Sequence, residues 1–413
     1  MEYQSVGKLV LLKGGIVNPM KRVSNLFEKL ITDENLETAI DEVNKSHHWR
    51  KHHVPNSCTL WVERTKKERI IELRRIICEG FVQKPPRVSR RYDASAQKYR
   101  TICEPVQYPD QYIHHALIQV LQPKMLQGMD YYCCGSIRGR GPKRAQKAIE
   151  TWVRRNKTDT RYELCGDIYH FYDSLKPEVV INRIKEIVKD HRIIDLVWRI
   201  VKDGVLIGSF TSQWFANTVL QPLDRLIRES KYCCHYVRYM DNLTIFGRNK
   251  RQLRKLYRQI NNWLKEHQLR LKDDYQIFYI APSEDKIPLD PPRNGVSRPK
   301  HRMPCAVGYR YGRSFTLLRK HNLLRIKRAV TRYRRKARNG SYLSARLASS
   351  VISRLGQLAH CNNCNIYKRL FNGERIMKSL KNILRLKAKK AGYTETWNEF
   401  IKRNVVVERE VKP

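Results

Sequence analysis

Tyr236-Val237-Arg238-Tyr239-Met240-Asp241-Asn242-Leu243-Thr244-Ile245-Phe246 sets two short runs of aromatic and β-branched residues on either side of a tight Met-Asp-Asn turn. Such runs favour extended chain, and two of them around a turn signal predict a β-hairpin with an acid at its tip. Upstream, Tyr162 to Ile168 reads as a strand ending in a second acid, Asp167. Pro177 then opens a helix with Val180, Ile184, Ile187 and Val188 on one face, and a loop follows at Gly204 to Ser209. Gln213 to Arg228 reads as one amphipathic helix that buries Phe215, Val219, Leu220, Leu223, Leu226 and Ile227. Beyond the hairpin, Leu253, Leu256, Ile260 and Leu264 mark a further helix, and Leu269 to Tyr279 returns as extended chain. Strand, helix, helix, hairpin, helix, strand is an α+β order.

The flanks read differently. Residues 21 to 82 carry helical patterning broken by the His-rich stretch Ser46 to Asn56, and Pro85-Pro86 closes that region. From Arg87 to Arg144 short extended runs mix with basic residues and Gly139-Arg140-Gly141, the composition of a flexible, phosphate-facing lobe. Asp285 to Pro304 is rich in Pro, Arg and Lys and reads as a loop; Leu317 to Arg338 and Leu343 to Leu386 read as basic helical segments. A chain of 413 residues is longer than one compact unit, so two or three subdomains are expected.

Lys and Arg number 82 against 39 Asp and Glu, a formal charge of +43 spread over nearly the whole chain. That excess points to a polyanionic partner, nucleic acid first. A membrane partner would need an apolar face or lipid anchor beside the charge, and neither is seen. Val6 to Val17 is too short, and too interrupted by Lys8, Lys13 and glycines, to span a bilayer or to act as a secretory signal. A cytoplasmic location is expected. Eleven cysteines, with adjacent pairs at Cys133-Cys134 and Cys233-Cys234, read as reduced thiols. Cys361 and Cys364 form one C-x-x-C, but a structural zinc site needs four ligands and no second pair stands at suitable spacing.

The two acids carry the chemistry. Joining a nucleotide to a primer spreads charge over a phosphorus centre, which two divalent ions stabilise well, and such ions are held by carboxylates from separate segments meeting at one sheet edge. Asp167 at a strand end and Asp241 at a hairpin tip meet that demand. Taken singly, each also fits an ordinary turn or helix-capping role.

Asp167-Ile168-Tyr169-His170-Phe171-Tyr172-Asp173-Ser174 is similar to the first aspartate motif of reverse transcriptases, and Tyr239-Met240-Asp241-Asn242 resembles their Tyr-x-Asp-Asp box. Ile207-Gly208-Ser209-Phe210-Thr211-Ser212-Gln213 resembles the Ile-Gly-x-x-x-Ser-Gln segment of the branch that contains diversity-generating retroelement enzymes and related phage-defence reverse transcriptases. The resemblance runs from about Met20 to about Phe371, through Lys98-Tyr99-Arg100, Arg138 to Gly141, Leu271-Lys272 and Val307-Gly308-Tyr309. It implies a right-hand polymerase fold, with fingers and palm built on an antiparallel sheet plus helices, followed by an α-helical thumb. The expected division is a helical lead-in at 1–86, fingers at 87–161, palm with further fingers elements at 162–312, and a basic thumb with C-terminal extension at 313–413.

Position by position, the resemblance implies that Asp167 and Asp241 bind the metals, Mg²⁺ with Mn²⁺ as the alternative, and that Asn242 and Lys272 complete the catalytic set. Lys272 would protonate leaving pyrophosphate; plain solvation is the competing reading. Lys98 and Arg100 would clamp the triphosphate. Tyr172 would act as the aromatic gate against a ribose 2′-OH, with packing below the sheet as its rival role. Gln213 would touch the incoming base pair or template, or simply begin its helix. Arg138, Arg140, Gly308, Tyr309, Arg319 and Arg325 would contact primer and template.

Asn242 departs from the family, which has a second aspartate there, and it supplies one negative charge fewer. The expected function is RNA-directed DNA polymerase, a nucleotidyltransferase making cDNA from an RNA template in a diversity-generating retroelement or an antiphage defence system. A cognate non-coding RNA is the expected partner, with an accessory protein or second reverse transcriptase beside it. The competing function is an RNA-binding scaffold that lost its chemistry with Asn242. No stretch after Leu386 is long enough for an RNase H domain, so RNA removal is expected to fall to other proteins.

Overall fold

A computed structural model describes residues 21–50, 56–93, 98–282, 301–340, 342–362, 366, 368, 370 and 376–390. Helices α1 (Leu26–Leu30), α2 (Asp33–Arg50), α3 (Ser57–Arg64) and α4 (Lys66–Gly80) come first, then an antiparallel hairpin of β1 (Arg87–Asp93) and β2 (Lys98–Glu104). Helices α5 (Tyr112–Gln127) and α6 (Pro142–Arg155) lead into β3 (Tyr162–Asp167). Between β3 and the next strand lie α7 (Phe171–Ser174), α8 (Pro177–Ile187), α9 (His191–Val201), α10 (Phe210–Val219) and α11 (Gln221–Glu229). The hairpin of β4 (His235–Tyr239) and β5 (Asn242–Gly247) is followed by α12 (Lys250–Glu266), β6 (Gln276–Ile280) and β7 (His301–Arg302).

These strands form a five-stranded sheet in the order β4-β5-β3-β6-β7, antiparallel except for the β6–β7 pair. A smaller sheet of β8 (Cys305–Ala306), β9 (Tyr309–Tyr311) and β10 (Thr316–Leu318) precedes α13 (Lys320–Arg338), α14 (Ala345–Leu355), a 3₁₀ segment Gly356–His360 and α15 (Ile376–Lys390).

Several expectations need correction. Residues 87–144 are not mainly a flexible lobe: α5 buries Ile113, Ala116, Leu117 and Leu121 completely, a packed helix whose apolar run the basic neighbours obscured. The span Gln213 to Arg228 is two helices, because Pro222 lacks the amide that would continue α10 and instead sits in the first turn of α11. Helix α9 fills the interval before Gly204. Thr316–Leu318 is a strand, and His301–Arg302 pairs with β6; residues 285–300 of the expected loop lie outside the described residues.

Alternation along the strands explains where the core sits. Successive side chains point to opposite faces. Leu164, Tyr236, Leu243 and Ile245 join the larger core with α1–α5 and α8–α12, whereas Val237, Phe246, Phe278 and Ile280 join a second core with α6, β9, β10 and α13–α15. The central sheet is therefore apolar on both faces.

Glu163 falls on the second face. It is 0% exposed, and neither carboxylate oxygen has a hydrogen-bond partner. Burial raises its pKa to about 8, only partly offset by Arg319 and Arg302. An acid whose folded pKa lies above its unfolded value contributes stability below the unfolded pKa and loses it as pH rises through the folded one. Glu163→Gln keeps the shape and removes the titration. It is expected to raise the melting temperature by about 2–4 °C at pH 8.5 and to leave it unchanged near pH 4, as thermal melts across that range will show.

Candidate active site

Backbone pairing brings the two acids together. Asp167 stands opposite Asn242 across the β3–β5 ladder, so Asp241 is the residue next to its partner. The Ile168 amide donates to the Asp241 carbonyl at 3.0 Å, and the Lys272 amide donates to the Asp167 carbonyl at 2.9 Å. An isolated bridge between Ile168 and Leu271 extends that second contact. Lys272 is thereby tied to the end of β3 by its main chain, and its Nζ donates to Asp167 Oδ2 at 2.8 Å.

Electrostatics register the same closeness. Burial and then the Asp167 charge push the Asp241 carboxyl above the usual range, with Lys272 and Asn242 opposing. Burial works against the Lys272 ammonium, but its hydrogen bond to Asp167 and the neighbouring carboxylates outweigh that, and its pKa is raised. Asn242 Nδ2 donates to Asp241 Oδ1 at 3.2 Å, so the neutral side chain favours the ionised form of the acid beside it. Among the described residues no three of His, Cys, Asp and Glu converge as a metal cluster. The donor set here is two carboxylates with amide and backbone oxygens nearby. Hard oxygen donors of that kind suit Mg²⁺, which keeps several of its own waters.

The turn itself is held from behind, by residues the sequence did not single out. Tyr239 pairs with Asn242, leaving Met240 and Asp241 as the two-residue connection, with Met240 at φ +57°. Arg238, fully buried, binds Asp224 through Nε and Nη2, each at 2.7 Å, and donates from Nη1 to the Met240 carbonyl at 3.0 Å. Gly135 lies against the turn so closely that a Cβ there would stand 2.6 Å from the Met240 nitrogen. The signal was present: alternation places Arg238 on the inward face with Tyr236, and an inward charge requires a buried counter-charge.

The other expected residues divide into those near the acids and those turned elsewhere. Tyr172 is half-buried, and its hydroxyl is held well above the ordinary tyrosine range by burial and by Asp241, against the opposing charges of Arg238 and Arg100. The acid, the aromatic and the β2 guanidinium thus share one neighbourhood. Lys98 is exposed on the same strand, and Gln213 is half-buried in the first turn of α10.

Gly308 follows Val307 at a two-residue turn joining β8 to β9, with φ values of +91° and +44°. Arg138 is exposed, but Arg140 turns inward and donates to the Asp130 carbonyl at 2.6 Å. Tyr309 is buried in the second core, its hydroxyl donating to the Gln357 carbonyl at 3.0 Å. Arg319 donates to Cys305 Sγ at 2.8 Å. Arg325 stands with Arg332 near Arg354, whose pKa is lowered by burial and by those two charges.

No helix among the described residues is long and apolar enough to cross a membrane. No curated protein matches the chain. Among solved structures, apo telomerase from Candida Tropicalis truncated from its C-terminal domain is similar at 14% identity with a TM-score of 0.40, a likeness too weak to decide function. That match covers 63% of this chain, which spans 60% of the telomerase chain. Residues 82–278 match the family model described as reverse transcriptase (RNA-dependent DNA polymerase). The segment that carries Asp167, Asp241 and Lys272 is a reverse transcriptase domain.

Proposed function

We propose that this chain is an RNA-directed DNA polymerase that extends a primer along an RNA template, with Asp167 and Asp241 as the carboxylates that would hold Mg²⁺ or Mn²⁺. The observation that carries the reading is the pairing of β3 with β5, which sets the two acids side by side inside a reverse transcriptase domain. When bound, divalent cations would stabilise the charge that develops on the transferred phosphoryl group. The chain's own residues supply the rest. Arg100 and Lys98 of β2 would orient the triphosphate. Tyr172, whose hydroxyl feels the charges of both Asp241 and Arg100, would exclude a ribose 2′-OH. The Lys272 ammonium, held at Asp167, is placed to give a proton to leaving pyrophosphate.

Residues 291–373 contain no Asp or Glu, and Arg325, Arg332 and Arg354 gather there without a counter-charge in that span. Such a surface would hold a template–primer duplex by its phosphates. The Ser212-Gln213 segment supports a diversity-generating or phage-defence setting, with the chain's own element-encoded or non-coding RNA as template and an accessory protein or second reverse transcriptase as further partner. We take the division into lead-in, fingers, palm and thumb to follow the same family pattern, at the boundaries expected from the sequence.

The test is primer extension by the purified chain on an RNA template with Mg²⁺ or Mn²⁺. Absence of cDNA under both ions would sink the polymerase reading. It would favour the second reading, an RNA-binding scaffold, which the Lys272–Asp167 ion pair and the neutral Asn242 both support. Tyr172→Ala is expected to narrow the preference for dNTP over rNTP by about tenfold or more, since the 2′-OH would lose its steric opponent. Competition assays with paired nucleotides read that ratio, and an unchanged ratio removes the gate assignment.

A further inference from the structure

We propose that the buried Arg238–Asp224 pair is a strut that positions the Asp241 carboxylate for cation binding, which makes Arg238 a positioning residue of this site. Every edge of its guanidinium is engaged. Nε and Nη2 grip Asp224 Oδ1 and Oδ2, each at 2.7 Å, and the same acid accepts the Tyr236 hydroxyl at 2.6 Å. Nη1 donates to Asn217 Oδ1 at 2.9 Å and to the Met240 carbonyl at 3.0 Å. Asn217 in turn donates to the Gly135 carbonyl at 2.9 Å, so one side-chain network ties α11, α10 and the 132–135 segment to the hairpin tip.

The main chain closes the same frame. Arg238 N donates to the Tyr132 carbonyl at 3.1 Å, and Cys134 N donates to the Arg238 carbonyl at 2.8 Å.

Stability alone does not account for this arrangement. A fully buried ion pair carries a large desolvation cost, and well-packed apolar replacements of both partners are often neutral or stabilising. What an apolar pair could not do is hold the Met240 carbonyl. Met240 has a left-handed backbone (φ +57°), a conformation that persists in a residue with a side chain only when its surroundings enforce it. The Met240 carbonyl and the Asp241 amide belong to one rigid peptide plane, so fixing that oxygen fixes the direction in which Asp241 leaves the turn.

The inference rests on the cation-site reading of Asp167 and Asp241, and its test does not depend on catalysis. Mn²⁺ binding to the full chain is followed by electron paramagnetic resonance, with Asp241→Asn as the control that defines the site. The double variant Arg238→Met/Asp224→Leu removes both charges at similar volume and is expected to melt within about 5 °C of wild type. Its Mn²⁺ affinity is expected to fall about tenfold or more, the usual effect of removing a group that orients a ligand. Arg238→Lys, which can face Asp224 but cannot span both acid and carbonyl, should fall between.

A folded double variant whose Mn²⁺ affinity stays within about twofold of wild type would overturn the strut. If that variant fails to fold, Asn217→Ala decides. It leaves the ion pair and cuts one anchor, and a loss of about threefold is expected; unchanged affinity overturns the proposal. Wild-type Mn²⁺ binding at Asp241 without primer extension would count against the polymerase and leave the strut standing.

Discussion

Asp241→Asn is expected to lower primer extension on an RNA template by about 10³-fold or more, equivalent to roughly 4 kcal/mol of transition-state stabilisation. The size follows from how little charge the edge has to spare. With Asn242 neutral and Asp167 already paired to Lys272, Asp241 supplies the second of two carboxylates. A substitution that preserves shape leaves one acid opposite one ammonium, a balanced pair with no net attraction for a divalent ion. Single-turnover extension with saturating Mg²⁺ measures the effect, and a loss below tenfold would remove Asp241 from the catalytic set. The raised pKa of Asp241, from burial and then from Asp167, adds a pH signature. Cation binding needs the ionised acid, so on acidification the wild-type rate should fall at a higher pH than an ordinary carboxylate would give.

Gly135→Ala should be nearly as damaging, although it adds only one methyl group. The new Cβ would lie 2.4 Å from Met240 Sδ and 2.6 Å from the Met240 backbone nitrogen. The thioether could swing aside, but the backbone nitrogen cannot yield without moving the turn. A displacement of about 1 Å at a reacting centre costs on the order of 10²-fold in rate. Extension rates, alongside a thermal melt to confirm the fold, are the measurement. A folded variant at wild-type rate would mean that the turn tolerates movement. Gly135→Ser should behave the same way, because the clash is at Cβ.

The features legible in the sequence share a local cause. The Asp241 hairpin, the strand ending in Asp167 and the helices at Pro177 and Leu253 announce themselves through alternation, helical spacing or proline, each within one segment. What was missed depends on partners distant in the chain. Gly135 gives no sign of its closeness to Met240, because a glycine without a turn context is silent until the fold sets something against it. Arg238 and Asp224 are two charges among many in a chain of +43, and only the packing of β4 against the α10–α11 layer turns them inward. Tyr309 and Arg140 carried a resemblance to nucleic-acid contacts, yet one is buried in the second core and the other is turned onto Asp130. The break at Pro222 is masked because the apolar stripe continues on both sides of it.

The central sheet, buried on both faces, sets how this chain can be divided. Val237, Phe246, Phe278 and Ile280 share one core with Ile149 and Trp152 of α6 and with the helices after residue 320. Arg313 reinforces the junction, donating to the Val153 carbonyl at 2.7 Å across 160 residues of sequence. The C-terminal helices are therefore not cargo appended to a finished enzyme but half the wall of its interior. A chain ended at the expected thumb boundary would be left with an open apolar face, prone to self-association. Exchange of this part between relatives would succeed only if α6 travelled with it, which makes two distant stretches of sequence a single heritable unit.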